Sequence, residues 1–72
     1  MRKKVIELIE NILELPPESI NESTIIEEVD GWDSLAYVLI IGDMEDKLGL
    51  TIPLDEAIDI KTVAELFEKV GV

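Results

Sequence analysis

The sequence predicts an all-α fold, a four-helix bundle of three main helices and one short one with a long first loop. Three features of the chain lead there. Apolar residues recur at spacings of three and four over residues 5–15, 34–48 and 63–70, the period of a helix face. Each stretch is followed by residues that end helices: Pro16 and Pro17, Gly49, and Gly71. The 72 residues allow one domain, 1–72, with one core. A chain of that size buries only about 60% of the surface it exposes when unfolded.

The first helix places Val5, Leu8, Ile9, Ile12 and Leu15 on one face and Lys4, Glu7, Glu10, Asn11 and Glu14 on the other. The prolines stop it, because the residue before a proline is driven out of the α region and neither proline donates a backbone hydrogen bond. Residues 16–33 read as loop, with Pro, Ser, Asn and Thr clustered among Ile20, Ile25, Ile26 and Val29. Such a connection is long for a compact domain, and those four aliphatic residues are its expected anchors. Thr24 and Glu27 have capping-box spacing, which predicts a single helical turn there.

Asp33 is the expected N-cap of the second helix, accepting from first-turn N–H groups and suiting the positive end of the helix dipole. The helix should run from Ser34 to Leu48 and end at Gly49. At about 100° per residue its apolar residues split into two stripes. Tyr37, Ile40, Ile41, Met44 and Leu48 form one; Leu35, Val38, Leu39 and Gly42 lie roughly opposite. A domain this small is not expected to bury both, so the stripe beginning beside Ser34 should be partly exposed. Cover by Ile25, Ile26 or Val29 would instead make it core. Residues 50–53 form an extended apolar connection, and residues 54–60 supply a turn or two of helix. Thr62 then caps the last helix with Glu65 at the capping-box position, and Val63, Leu66, Phe67 and Val70 face the core. Trp32 is expected to pack over the domain, and Tyr37 and Phe67 to join its core.

Six basic and seventeen acidic residues give a net charge of −11, and Arg2, Lys3 and Lys4 hold half of the positive charge. Phosphates would be repelled, which excludes nucleic acid and favours partners with basic docking patches. An apolar fraction of 47% excludes a disordered acidic tail. No apolar run approaches membrane-spanning length and no secretory signal is present. Together with the absence of cysteine, this predicts a cytoplasmic monomer. Asp43, Glu45, Asp46, Asp55, Glu56 and Asp59 lack calcium-loop spacing, so they read as a solvated acidic face with no dedicated metal site.

Chemistry concentrates at Gly31-Trp32-Asp33-Ser34-Leu35. Ser34 sits where a glycine-hinged loop meets the first turn of a helix, a place that exposes a side chain among unpaired N–H groups. A serine nucleophile needs a base beside it, and the chain has no histidine and no cysteine. Ser34 is therefore a site on which another enzyme acts, and no residue is assigned a catalytic role.

Asp33-Ser34-Leu35 at the head of the second helix, with Gly31, Trp32, the long loop, the short third helix and the acidity, resembles the acyl carrier proteins and related peptidyl carrier domains. The resemblance spans essentially the whole chain. It implies the carrier-type four-helix fold, with Ser34 esterified by 4′-phosphopantetheine that a phosphopantetheinyl transferase donates from coenzyme A. It also implies an acyl or aminoacyl thioester, presented to loading and transfer enzymes of fatty acid, polyketide or nonribosomal-type biosynthesis. On that reading the chain is not an enzyme. The common fatty-acid carriers place acids two and five positions after the serine, where this chain has Ala36 and Leu39, which points to a specialised partner. Partner recognition is assigned to Asp33, Leu35, Val38, Leu39, Gly42, Asp43 and Asp46. The rival reading is an acidic helical adaptor that binds through Leu35, Val38 and Leu39 with no covalent group.

Overall fold

In the computed structural model, which describes residues 1–72, the first helix, α1, spans Arg2–Leu13. Val5, Leu8 and Ile9 are buried on its apolar face. The helix closes before the prolines act on it. Glu14 adopts a left-handed conformation (φ 56°), and the N–H groups of Glu14 and Leu15 return to the carbonyls of Asn11 and Glu10 at 3.3 and 2.8 Å. This is a Schellman-type ending, which satisfies the last carbonyls locally.

The expected polar face of α1 needs one correction. Glu10 is only 5% exposed. Its Oε2 accepts from the N–H groups of Ser19 at 3.0 Å and Ile20 at 3.4 Å, and from the Ser19 hydroxyl at 3.5 Å. A carboxylate is tolerated beneath a loop when its oxygens are hydrogen-bonded there, and this one pins the start of the long connection to α1. Ile20 and Ile26 then bury as anchors, Val29 is half-buried, and Ile25 stays exposed. Ile25 acts through its backbone instead, in a lone antiparallel bridge to Thr62. Beside it Ile26 N–H donates to the Lys61 carbonyl at 2.9 Å and Val63 N–H to the Thr24 carbonyl at 3.2 Å. The helical turn in the loop exists, as a 3-10 turn over Ile26–Glu28, but no side chain caps it. Thr24 Oγ1 accepts from Asn21 N–H at 2.8 Å, so the expected capping box does not form.

The second helix, α2, covers Ser34–Asp43 and continues as a wider π turn over Met44–Leu48 to the left-handed Gly49. Ala36, Ile40 and Met44, four apart, form its buried line, with Tyr37, Ile41 and Leu48 half-buried beside them. The third helix, α3 (Leu54–Ala57), is one turn long; it buries Ala57 and leaves Leu54 exposed, with Ile58 exposed just beyond it. The fourth, α4 (Val63–Val70), begins as expected with Thr62 Oγ1 accepting from Glu65 N–H at 3.3 Å and ends at Gly71. Val63, Leu66 and Phe67 fill the core and Val70 is half-buried. Both α1 and α3 pack against α2. The Arg2 guanidinium lies 5.1 Å from the Phe67 ring centre, pairs with Glu22, and donates to the Val72 carbonyl at 3.1 Å. One side chain thus links α1, the loop and the end of the chain. No helix is long and apolar enough to cross a membrane.

Glu10→Ala would strand the Ser19 and Ile20 N–H groups, and a buried donor left unpaired costs about 1–3 kcal/mol. For a domain of this size that corresponds to a fall in melting temperature of at least about 5 °C. Ser19→Ala keeps both N–H bonds and should cost far less; circular dichroism melts of the two variants check this.

Candidate functional site

Three consecutive residues set the geometry at the head of α2. Gly31 turns the chain at φ 86°, a conformation that glycine adopts without strain. Trp32 follows into the core, 7% exposed, with its N–H on the Val29 carbonyl at 3.3 Å. Asp33 is extended, and its Oδ1 accepts from Ala36 N–H at 2.9 Å, the expected N-cap. Ser34 is then the first residue of α2 and is exposed. Its hydroxyl makes no hydrogen bond within the protein, and the N–H groups of Ser34 and Leu35 have no protein acceptor. An accessible oxygen beside two free N–H groups at a helix start suits the esterification of that oxygen by a phosphoryl group.

The face that continues from Ser34 is uncovered. Leu35, Val38 and Leu39 are 68%, 50% and 52% exposed, and Gly42 is exposed below them. The long loop does not close over this stripe; Ile26 is in the core and Val29 is only half-buried. Leu35 and Leu39 border a groove of about 230 Å³ whose other wall is Ile12 and Leu13 of α1. Spacing put Ile12 on the inward face, and it packs against the core as well as lining this groove; the end of α1 was not part of the expected site. The acids differ among themselves. Asp33 and Asp46 are exposed, whereas Asp43 is half-buried and paired with Lys47 at 3.3 Å. No group of three or more acids converges on a point where a metal ion would sit.

Gly42 is unlike the other glycines. Gly31, Gly49 and Gly71 have positive φ, but Gly42 is helical, and a Cβ placed on it would meet nothing within 4 Å. A glycine inside a helix is destabilising by roughly 0.5–1 kcal/mol relative to alanine, so the fold gains nothing from it.

On the other side of α2, the Trp32 and Tyr37 rings meet at 5.6 Å and 59°. Both line a cleft of about 280 Å³ with Ile26, Ile58, Ile60 and Lys61. The Trp32 indole N–H is buried without a partner. Tyr37 is half-buried rather than core, and burial first, then the Glu65 carboxylate, raises its hydroxyl above the ordinary value of 10.

The family model described as phosphopantetheine attachment site matches residues 3–70. The chain belongs to the phosphopantetheine-attachment family. A curated relative, an acyl carrier protein of Saccharopolyspora erythraea, is 32% identical over 71 residues, covering 93% of this chain and 75% of that one. A solved structure described as an acyl carrier protein from Mycobacterium tuberculosis superposes with a TM-score of 0.81 at 26% identity, covering 97% of this chain and 93% of that one. As a member of the phosphopantetheine-attachment family, the chain is a carrier and not an enzyme. Its prosthetic group is a covalently attached 4′-phosphopantetheine. Membership also brings interaction with a phosphopantetheinyl transferase and with acyl-handling enzymes.

Tyr37 is the single tyrosine, so an absorbance titration reports it directly and should give a midpoint above 10. Because the folded value lies above the unfolded one, the stability from neutral Tyr37 is fully present below pH about 10 and is lost as pH rises through the folded value. Chemical denaturation across that alkaline range should show the loss in the wild type and a smaller one in Tyr37→Phe.

Proposed function

We propose that Ser34 is the attachment point and that residues 1–72 act as a single carrier domain for an acyl or aminoacyl thioester. The observation that carries this is the exposed, unbonded Ser34 hydroxyl at the first residue of α2, at the head of an uncovered apolar stripe. In the transfer, the Ser34 oxygen bonds to phosphorus, the pyrophosphate bridge of coenzyme A breaks, and adenosine 3′,5′-bisphosphate leaves. The transferase takes the serine proton, since this chain has no histidine or cysteine to do so. The attached group supplies a flexible tether ending in a thiol, which raises the effective concentration of the cargo at each docked enzyme.

The residues around Ser34 do the positioning. Asp33 holds the first turn with one carboxylate oxygen and has a second with which to meet a basic group or magnesium ion on the transferase. Leu35, Val38, Leu39 and Gly42 form the docking face, with Asp46 at its rim and Asp43 a lesser contributor because Lys47 already pairs with it. The partners carry basic and apolar patches and belong to fatty acid, polyketide or nonribosomal-type biosynthesis. The name of the curated relative favours an acyl cargo. The carrier works as a cytoplasmic monomer.

The decisive measurement is intact mass after incubation with coenzyme A, magnesium and a promiscuous phosphopantetheinyl transferase. One phosphopantetheine adduct is expected on the wild type and none on Ser34→Ala. No adduct on the wild type would leave the adaptor reading in its place, and an adduct on Ser34→Ala would put the attachment elsewhere. Because Leu39 is half exposed, Leu39→Glu should change the melting temperature by no more than a few degrees while slowing transfer to a partner several-fold. A large loss of stability would mean that Leu39 belongs to the core.

A further inference from the structure

Ser34 stands between two residues that line the same groove. Asp33 precedes it and Leu35 follows it, and both border the space of about 230 Å³ between the end of α1 and the start of α2. Ile12 and Leu13 supply the α1 wall and Leu35 and Leu39 the α2 wall, and Asp33 is the one charged residue in the lining. The core leaves this space open: Ile12 and Leu13 are half-buried, and Leu35 and Leu39 are exposed.

The 4′-phosphopantetheine of this family matches that lining in one portion. Beyond its phosphate comes a pantoate unit, with geminal methyl groups on one carbon and a hydroxyl on the next, and then amides and a terminal thiol. Its branched apolar portion therefore lies close to the attachment point, and the rest is polar. We infer that the groove between α1 and α2 seats the geminal methyl groups of the arm attached at Ser34, so that the resting arm lies against Ile12 and Leu13. The inference rests on Ser34 being the attachment point and adds where the arm is held when no enzyme holds it.

Size, tethering and polarity commit the groove to this occupant. Pockets for drug-sized ligands run to about 300–1,000 Å³, so a groove of about 230 Å³ takes a fragment of the arm and leaves the amides and thiol in water. Attachment beside the groove replaces a bimolecular encounter with an intramolecular one at an effective concentration on the order of millimolar. A weak contact is then enough, and full burial of the methyl pair favours the seated arm by roughly tenfold. Asp33 spends one carboxylate oxygen on the Ala36 N–H and keeps the other to accept from the pantoate hydroxyl. The cleft on the other side of α2, lined by Trp32, Tyr37, Ile58 and Ile60, has neither Asp33 nor Leu35 in its wall. Leu35 and Leu39 serve both the seat and the docking face, so a partner that takes these side chains frees the arm.

The test uses the holo protein, its single adduct verified by intact mass, with methyl-labelled isoleucine and leucine. Nuclear Overhauser contacts are measured from the pantoate methyls, and melting curves verify that each variant is folded. Contacts to Ile12 and Leu13 are expected, and none to Ile58 or Ile60. Leu39→Ser, at an exposed position, removes part of one wall and should weaken the Ile12 and Leu13 contacts by roughly twofold or more. Val38→Ser, on the same exposed stripe but outside the groove lining, should leave them as in the wild type. Absence of contacts to Ile12 and Leu13 in the wild-type holo protein, contacts to Ile58 or Ile60 in their place, or an equal loss in Val38→Ser overturns this inference and leaves the carrier reading intact. A wild type that takes no adduct overturns the carrier reading and this inference with it.

Discussion

A 72-residue chain has one core, and α2 passes through it with apolar residues on two sides. The core takes only the line of Ala36, Ile40 and Met44 and the half-buried residues beside it. With α1 and α3 against that side, nothing remains to cover Leu35, Val38 and Leu39. The exposed stripe is thus a consequence of size. Aliphatic groups left in water favour whatever removes them from it, and Leu35, the first of them, adjoins the exposed Ser34.

The long loop is where the fold holds α2 at its start. Glu10 fastens one end to α1, Ile20 and Ile26 sink into the core, and the bridge between Ile25 and Thr62 ties the middle to the start of α4. The chain then turns at Gly31, buries Trp32, and spends the next residue on the Asp33 cap. Ser34 comes immediately after these two fixed points. Its hydroxyl is exposed because its predecessors have taken the inward and capping positions.

How much of this was legible depended on the range of the interaction. The Asp33 and Thr62 caps were readable because a cap joins residues three apart, and so were the two stripes of α2, which follow from helical period alone. Glu10 was misplaced by the same logic. Period puts it with Glu7 and Glu14 on the polar face, but the N–H groups that receive it belong to Ser19 and Ile20, on a segment whose path the period does not describe. Thr24 failed for a related reason: its hydroxyl had a nearer claim, the Asn21 N–H, than the turn it was expected to cap. Ile25 is aliphatic and was expected to anchor through its side chain, yet only its backbone does so.

The sequence by itself determined that the chain is helical, that Ser34 heads the second helix, and that this serine has no base with which to catalyse. Those properties are set by composition and by neighbours within about a turn. Only the tertiary structure decided which stripe of α2 faces water, that the end of α1 forms the far wall of the groove beside Leu35 and Leu39, and that Gly42 has open space above it. Each of these depends on how much surface the rest of the chain can supply to cover α2, a quantity that exists only once all the helices are packed together.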